Sequence, residues 1–157
     1  MDDVEEIKKL KARYFRFLDT KNWQGYRQLF TADVVVDLTD PGNQLWHGIE
    51  PYMEYVLTLT IARSVHHGHM PEIELTSATT ATGIWSMEDR VRWIDGYDTH
   101  GFGHYFETYE KLNEQWRIKT MKLAYLRIDK TSSKVRPHDD PAAGAMSRFA
   151  VNDQRPR

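Results

Sequence analysis

Apolar residues recur along the chain at two different spacings, first helical and then strand-like. The first helix is predicted to begin at Asp2 or Asp3, either of which can cap it, and to carry an apolar stripe at steps of three and four residues. Its stripe comprises Val4, Ile7, Leu10, Tyr14, Phe17 and Leu18. A second short helix is predicted over residues 23–30, and a third opens at residues 48–51, where Pro51 falls near its first turn.

Period-two patterns and turn residues predict strands over the rest of the chain. A hairpin is predicted from residues 34–38 and 45–47, with Pro41-Gly42 as its turn. Longer strands are predicted at residues 65–76, 80–93, 102–112 and 116–127, the last two joined by a tight turn at Asn113-Glu114. Because Pro71 interrupts the first of these, we expect a bulge there, which leaves its register open.

This order of elements predicts an α+β domain over residues 1–130, in which the helices pack on one face of a strongly curved, mixed or antiparallel sheet. A sheet bent in this way makes a cone whose apolar interior is the default site for a ligand. Residues 131–157 lose all periodicity and are rich in polar residues and proline. We predict that they form a tail that covers the pocket mouth or a neighbouring subunit through Met146 and Phe149, with disorder as the alternative.

Asp89 breaks the pattern of the strand at residues 80–93. The odd positions of this strand are otherwise apolar or small, and include Trp85 and Met87, whereas the even positions are mostly polar. Asp89 is therefore predicted to face the core, where an ionised carboxylate needs partners. A structural carboxylate held by backbone or tryptophan donors is one interpretation, and a functional residue in the cavity is the other.

Composition excludes several classes of function. Cysteine is absent, so disulfides, thiolate metal sites and cysteine nucleophiles are excluded. A net charge of -2 argues against nucleic acid as a partner. The acidic N-terminus does not resemble a signal peptide, and no apolar stretch is long enough to cross a membrane. The default expectation is a cytoplasmic protein with a hydrophobic small-molecule ligand and no membrane partner.

The cluster His66-His67-Gly68-His69 suggests a metal site at first sight. Adjacent residues of a strand point to opposite faces, so only His67 and His69 could share an ion from this segment, and spacing places no further ligand beside them. We therefore predict no metal and no cofactor. A histidine that acts as acid or base beside a buried carboxylate is favoured instead, although periodicity does not say which one enters the core.

Four segments of the chain resemble the SnoaL-like branch of the nuclear transport factor 2-like superfamily, most closely the bile acid 7-alpha-dehydratase type and more distantly scytalone dehydratase. The similarity extends over about residues 4–130. It implies a cone-shaped α+β barrel that is usually oligomeric, with a trimer favoured and a dimer as the alternative. The segments are Lys11–Asp19, His66–Ile73, Thr79–Asp89 and Tyr109–Ile118.

Carried over residue by residue, the resemblance implies five catalytic residues. They are Tyr14, Asp19, His66, Asp89 and Arg127. Residues predicted to line the substrate site around them are Trp85, Met87, His104 and Tyr125. Arg127 is expected to share the inner face of the last strand with Tyr125, since the two are separated by two positions.

The favoured hypothesis is a cofactor-independent lyase that eliminates water from a hydrophobic, polycyclic or aromatic hydroxy-carbonyl or phenolic substrate. His66, oriented by Asp89, would move the proton, and Tyr14 would stabilise the developing negative charge on oxygen. Asp19 and Arg127 would position the tyrosine, the substrate or each other. The alternatives are a carbon–carbon lyase that releases formaldehyde, an isomerase, and a noncatalytic small-molecule binding module.

Overall fold

The computed structural model describes residues 2–40 and 42–132, in which three helices precede four long strands. The helices are α1 (Asp3–Asp19), α2 (Trp23–Arg27) and α3 (Ile49–Thr58). The strands are β1 (Phe30–Asp40), β2 (Gln44–His47), β3 (Ile61–Leu75), β4 (Thr80–Trp93), β5 (Tyr97–Leu112) and β6 (Gln115–Ser132). Every predicted element is present, although α2 ends at Arg27 and Phe30, which was expected in that helix, begins β1. Most strands extend beyond their predicted ends.

Helix α1 begins after a capping carboxylate and ends at Asp19. The side chain of Asp2 accepts a hydrogen bond from the backbone N–H of Val4 at 3.1 Å, and acidic residues in the first turn complement the helix dipole. Within the predicted stripe Ile7, Leu10 and Tyr14 are buried, and its remaining residues are half-buried. Asp19 is the last helical residue, so its carboxylate lies at the edge of the sheet.

The strands form one six-stranded sheet in the order β2-β1-β6-β5-β4-β3. Strands β1 and β6 are parallel, and the other neighbouring pairs are antiparallel. The helices pack over its apolar face, which confirms the predicted α+β class with a mixed sheet. The sheet is open, with β2 and β3 at its two edges, so it does not close as a barrel.

Two of the register shifts in the sheet bear on the predicted site residues. The predicted irregularity at Pro71 is present as a register shift between His69 and Glu72, and β3 is an edge strand, where proline is tolerated. A second shift, between Phe102 and Gly103, was not predicted. Phe102 pairs with Arg127 and Gly103 pairs with Tyr125, so Leu126 is an extra residue in β6. The side chains that follow Leu126 therefore point to the opposite face from the one that simple alternation predicts.

The part of the chain that the structure describes contains no helix long and apolar enough to cross a membrane. Strand β6 continues to Ser132, two residues beyond the predicted domain boundary. The predicted lid contacts of Met146 and Phe149 lie outside the described residues.

Candidate active site

Asp89 faces the core, as its position in the alternation predicts. It is 3% exposed and lies between Met87 and Val91 on the buried face of β4. Its two oxygens have different partners: Oδ1 accepts the backbone N–H of Gly101 at 3.1 Å, and Oδ2 accepts the hydroxyl of Tyr125 at 2.6 Å. Burial, and to a smaller extent the charge of Asp89, raises the pKa of Tyr125. Its hydroxyl therefore stays protonated and donates the hydrogen bond.

His66 lies beside Asp89 but is held by Asp19. The two residues are cross-strand neighbours in the register of β3 and β4. The imidazole Nδ1 of His66 is 2.6 Å from Asp19 Oδ1, and the backbone N–H of His66 donates to Asp19 Oδ2 at 2.9 Å. The prediction that Asp89 orients His66 is therefore wrong, because the carboxylate bonded to the imidazole is that of Asp19, at the end of α1.

The carboxylate of Asp19 receives a third donor, the hydroxyl of Ser64, at 2.8 Å. Three hydrogen bonds fix its position at the boundary of α1 and β3. An ionised carboxylate only accepts hydrogen bonds, so the proton of the ring is assigned to Nδ1 and Nε2 is left with its lone pair. The His66 side chain is 9% exposed and that of Asp19 is 19% exposed, which leaves a narrow approach to this pair.

Tyr14 lies deeper in the interior, among other tyrosines. Its ring is 5.2 Å from that of Tyr26 and 5.8 Å from that of Tyr105, and the hydroxyls of Tyr26 and Tyr52 are 2.9 Å apart. Burial raises the pKa of Tyr14 well above its ordinary value and that of Tyr52 to about 12. The phenols therefore remain neutral donors, which is the state that stabilisation of an oxyanion requires.

An open groove of about 430 Å³ lies between α1 and β3. Phe15 and Ala12 line it from the helix, and Trp85 and His66 line it from the sheet. Trp85 was predicted to contact substrate, and the structure places it and His66 in the same groove. Its remaining lining residues are Lys8, His67, Gly68, His69 and Pro71.

Two predicted site residues lie elsewhere. The bulge in β6 pairs Arg127 with Phe102, whose side chain belongs to the outer face of the sheet. The Arg127 side chain is 69% exposed and bonds Asp129 at 2.8 Å, so its predicted position beside Tyr125 is wrong. His104 pairs with the outward-facing Ser86 and contacts Phe106, so it too lies on the outer face.

The sequence reasoning missed Ser64 and Tyr105. Ser64 is two residues before His66 and therefore shares its face of β3, a signal that was available. Tyr105 is 1% exposed and adjoins His104, which was chosen in its place. Alternation along β5 separates Gly101, Gly103 and Tyr105 from the even positions, but does not say which set faces inward.

Gly101 is required by the packing around Asp89. A Cβ at this position would lie 2.5 Å from Tyr125 Cε1 and 2.7 Å from Asp89 Oδ1. We expect Gly101→Ala to displace both side chains and to lower the free energy of unfolding by about 1–3 kcal/mol, as overpacking does. Denaturant unfolding measures this. The matched change Gly103→Ala should lower the free energy of unfolding further, because its Cβ would meet the backbone carbonyl of Ala124. If both variants were as stable as the parent, the packing described would be contradicted.

Comparisons with known proteins agree with this architecture. The family model for the SnoaL-like domain matches residues 1–122. A provisional scytalone dehydratase from Novosphingobium aromaticivorans DSM 12444 is 24% identical, with 85% of this chain and 89% of that chain covered and a TM-score of 0.74. A hexachlorocyclohexane dehydrochlorinase, LinA type 2, is 14% identical, with 83% and 89% covered and a TM-score of 0.75. At these identities the structural likeness shows the fold alone.

Proposed function

The chain belongs to the SnoaL-like domain family, and from that premise we propose that it is a cofactor-independent lyase acting on an apolar hydroxy-carbonyl or phenolic substrate. The observation that carries the proposal is the bond between His66 Nδ1 and Asp19 at the groove. A histidine with one nitrogen fixed by a carboxylate can accept a proton at the other nitrogen and return it near neutral pH. Elimination of water needs both steps.

In this mechanism His66 Nε2 removes the proton next to the substrate carbonyl. Asp19 keeps the imidazole in the required tautomer and stabilises the imidazolium that forms. The three donors on Asp19 hold that carboxylate in place, so the ring does not have to reorganise during the reaction. The proton then returns to the departing hydroxyl, which leaves as water.

Asp89 and Tyr14 take separate roles. Asp89 is the cross-strand neighbour of His66 and would accept a hydrogen bond from the substrate hydroxyl, which orients the leaving group. Tyr14, kept neutral by burial, does not line the groove; it would donate to the oxygen on which negative charge develops in a substrate that enters past Phe15 and Trp85 into the interior. Arg127 has no role in this proposal, since it lies on the other face of the sheet.

The groove indicates the substrate class. Phe15 and Trp85 offer flat apolar surfaces next to His66, which suits an aromatic or polycyclic ring better than a small polar metabolite. The LinA neighbour is described as a dehydrochlorinase, which is also an elimination. That likeness supports proton abstraction followed by loss of a leaving group, without specifying the group lost.

Product analysis tests the proposal. The purified protein should be incubated with a panel of cyclic β-hydroxy ketones and the products identified by mass spectrometry. We expect loss of one water from at least one substrate, abolished in Asp19→Asn. Loss of formaldehyde would instead support a carbon–carbon lyase, conserved mass an isomerase, and tight binding without turnover a binding module; each of these overturns the proposed reaction.

A further inference from the structure

A cluster of histidines occupies the outer face of the sheet, directly behind the candidate active site. His67 and His69 are separated by two positions on β3, so both point away from the side that His66 faces. Their rings are 5.9 Å apart. Neither has a part in the proposed elimination chemistry.

Glu88 completes this cluster from the neighbouring strand. It is the direct cross-strand partner of His67, and one ligand atom from each of His67, His69 and Glu88 falls within 4.8 Å of the others. The expectation that no other residue accompanies the two histidines is wrong, because spacing along the chain does not reveal a partner that the β3–β4 register supplies.

The chemistry of the three side chains fits a transition-metal ion. Zinc in proteins binds imidazole nitrogen and carboxylate oxygen at about 2.0–2.2 Å, and sites with three protein ligands leave one position for water. Side-chain rotations of the exposed histidines can bring atoms now within 4.8 Å to the separation of about 3.3 Å that such bonds require. Two neutral imidazoles and one carboxylate also leave a net charge of about -1 to receive a divalent cation.

Glu88 is prepared for this role by its own partners. His100 Nε2 is 2.6 Å from Glu88 Oε1, and Arg90 approaches the same oxygen at 3.7 Å. Oε2 is therefore the atom that can bind an ion, while His100 fixes the orientation of the carboxylate from behind. An outer hydrogen bond of this kind commonly accompanies a metal ligand.

We propose that His67, His69 and Glu88 bind one divalent transition-metal ion, with zinc as the best fit, on the outer face of β3 and β4. The ion would join the edge strand to its neighbour at the level of His66 and Asp89. His67 and His69 also line the groove at the open edge of β3, so an ion bound there would lie at the rim of the groove, on the other face of the strands from His66 and Asp89.

Zinc titration of the full-length protein, free of any affinity tag and stripped with a chelator, tests the site. We expect one ion per chain with micromolar or tighter affinity, measured by competition with a chromophoric chelator. His67→Ala, His69→Ala and Glu88→Gln should each weaken binding by more than roughly 10-fold, and His100→Ala by about 10-fold, as loss of an outer partner does.

The control is His104→Ala, which removes another outer-face histidine and should leave zinc affinity unchanged. Histidine ring nitrogen resonances, recorded by NMR with and without zinc, should shift for His67 and His69 and not for His104. Unfolding curves recorded with chelator establish that the ligand variants fold. Absence of saturable binding, or equal binding by the parent and the folded His67→Ala and His69→Ala variants, would overturn the proposal.

Discussion

Replacing His66 with alanine is expected to lower kcat by roughly 10²- to 10⁴-fold, the range that a general acid–base group contributes. The imidazole would be the only group in the proposed mechanism that both takes and returns the proton. KM should change much less, because Phe15 and Trp85 still line the groove. Steady-state kinetics on the substrate found by product analysis measures both parameters.

Four companion variants test whether Asp19 is the carboxylate that acts with His66. Asp19→Asn should approach the effect of His66→Ala, because an amide no longer enforces the ring tautomer, and the double variant should be little worse than either single one. Asp89→Asn should raise KM or lower kcat by a smaller factor, since Asp89 bonds Gly101 and Tyr125 and not His66. His47→Ala, an exposed histidine on the far edge strand, is the control. A larger loss in Asp89→Asn than in Asp19→Asn would restore Asp89 as the partner of His66.

The sequence predicted the types of element well because each depends on local periodicity. The stripe of α1 and the alternation of β4 can be read without knowing what packs against them. The same reasoning placed Asp89 on the buried face, where it is 3% exposed. Ends of strands were less well predicted, since pairing with a neighbour can extend a strand through residues that have no pattern of their own.

Contacts between residues distant in the sequence were harder to predict than the face of a strand on which a residue lies. Asp19 and His66 are 47 residues apart, and only the packing of α1 on the edge strand brings them together. The resemblance supplied both residues but not the bond between them. Arg127 was misplaced for a different reason: one inserted residue in β6, opposite Gly103 of β5, changes the face of the residues that follow. Strand β6 has no glycine or proline at this point to indicate the bulge.

Lys11 and Glu107 form an ion pair that the pattern of α1 did not predict. Both side chains are fully buried, and Nζ is 2.5 Å from Oε1. The ammonium also lies 4.0 Å from the ring centre of Tyr14 and 3.5 Å from that of Tyr105, and the other oxygen of Glu107 accepts the Tyr109 hydroxyl at 2.5 Å. Burial lowers the pKa of Lys11 to about 8, although Glu107 opposes the shift. Desolvation therefore outweighs the attraction within the pair.

Removing one partner of this pair is expected to destabilise the protein by about 3–5 kcal/mol, because it leaves a buried charge without compensation. Lys11→Met leaves the carboxylate, and Glu107→Gln leaves the ammonium. The double variant Lys11→Met/Glu107→Gln removes both charges and keeps an amide oxygen to accept from Tyr109. It should return to within about 1 kcal/mol of the parent or exceed it, since neutral replacement of a buried pair is often favourable. Denaturant unfolding of all four proteins measures the coupling.

The surface pair of Lys119 and Asp33 is the matched control for this cycle. Its separation is also 2.5 Å, but the side chains are 35% and 70% exposed. Lys119→Met should cost less than about 1 kcal/mol, since solvent screens exposed pairs. A double variant at Lys11 and Glu107 as unstable as the sum of its single changes would show that the two charges are not coupled. Recovery in the double variant would show instead that the protein is destabilised by an unpaired charge near Tyr14 and not by the loss of the ion pair itself.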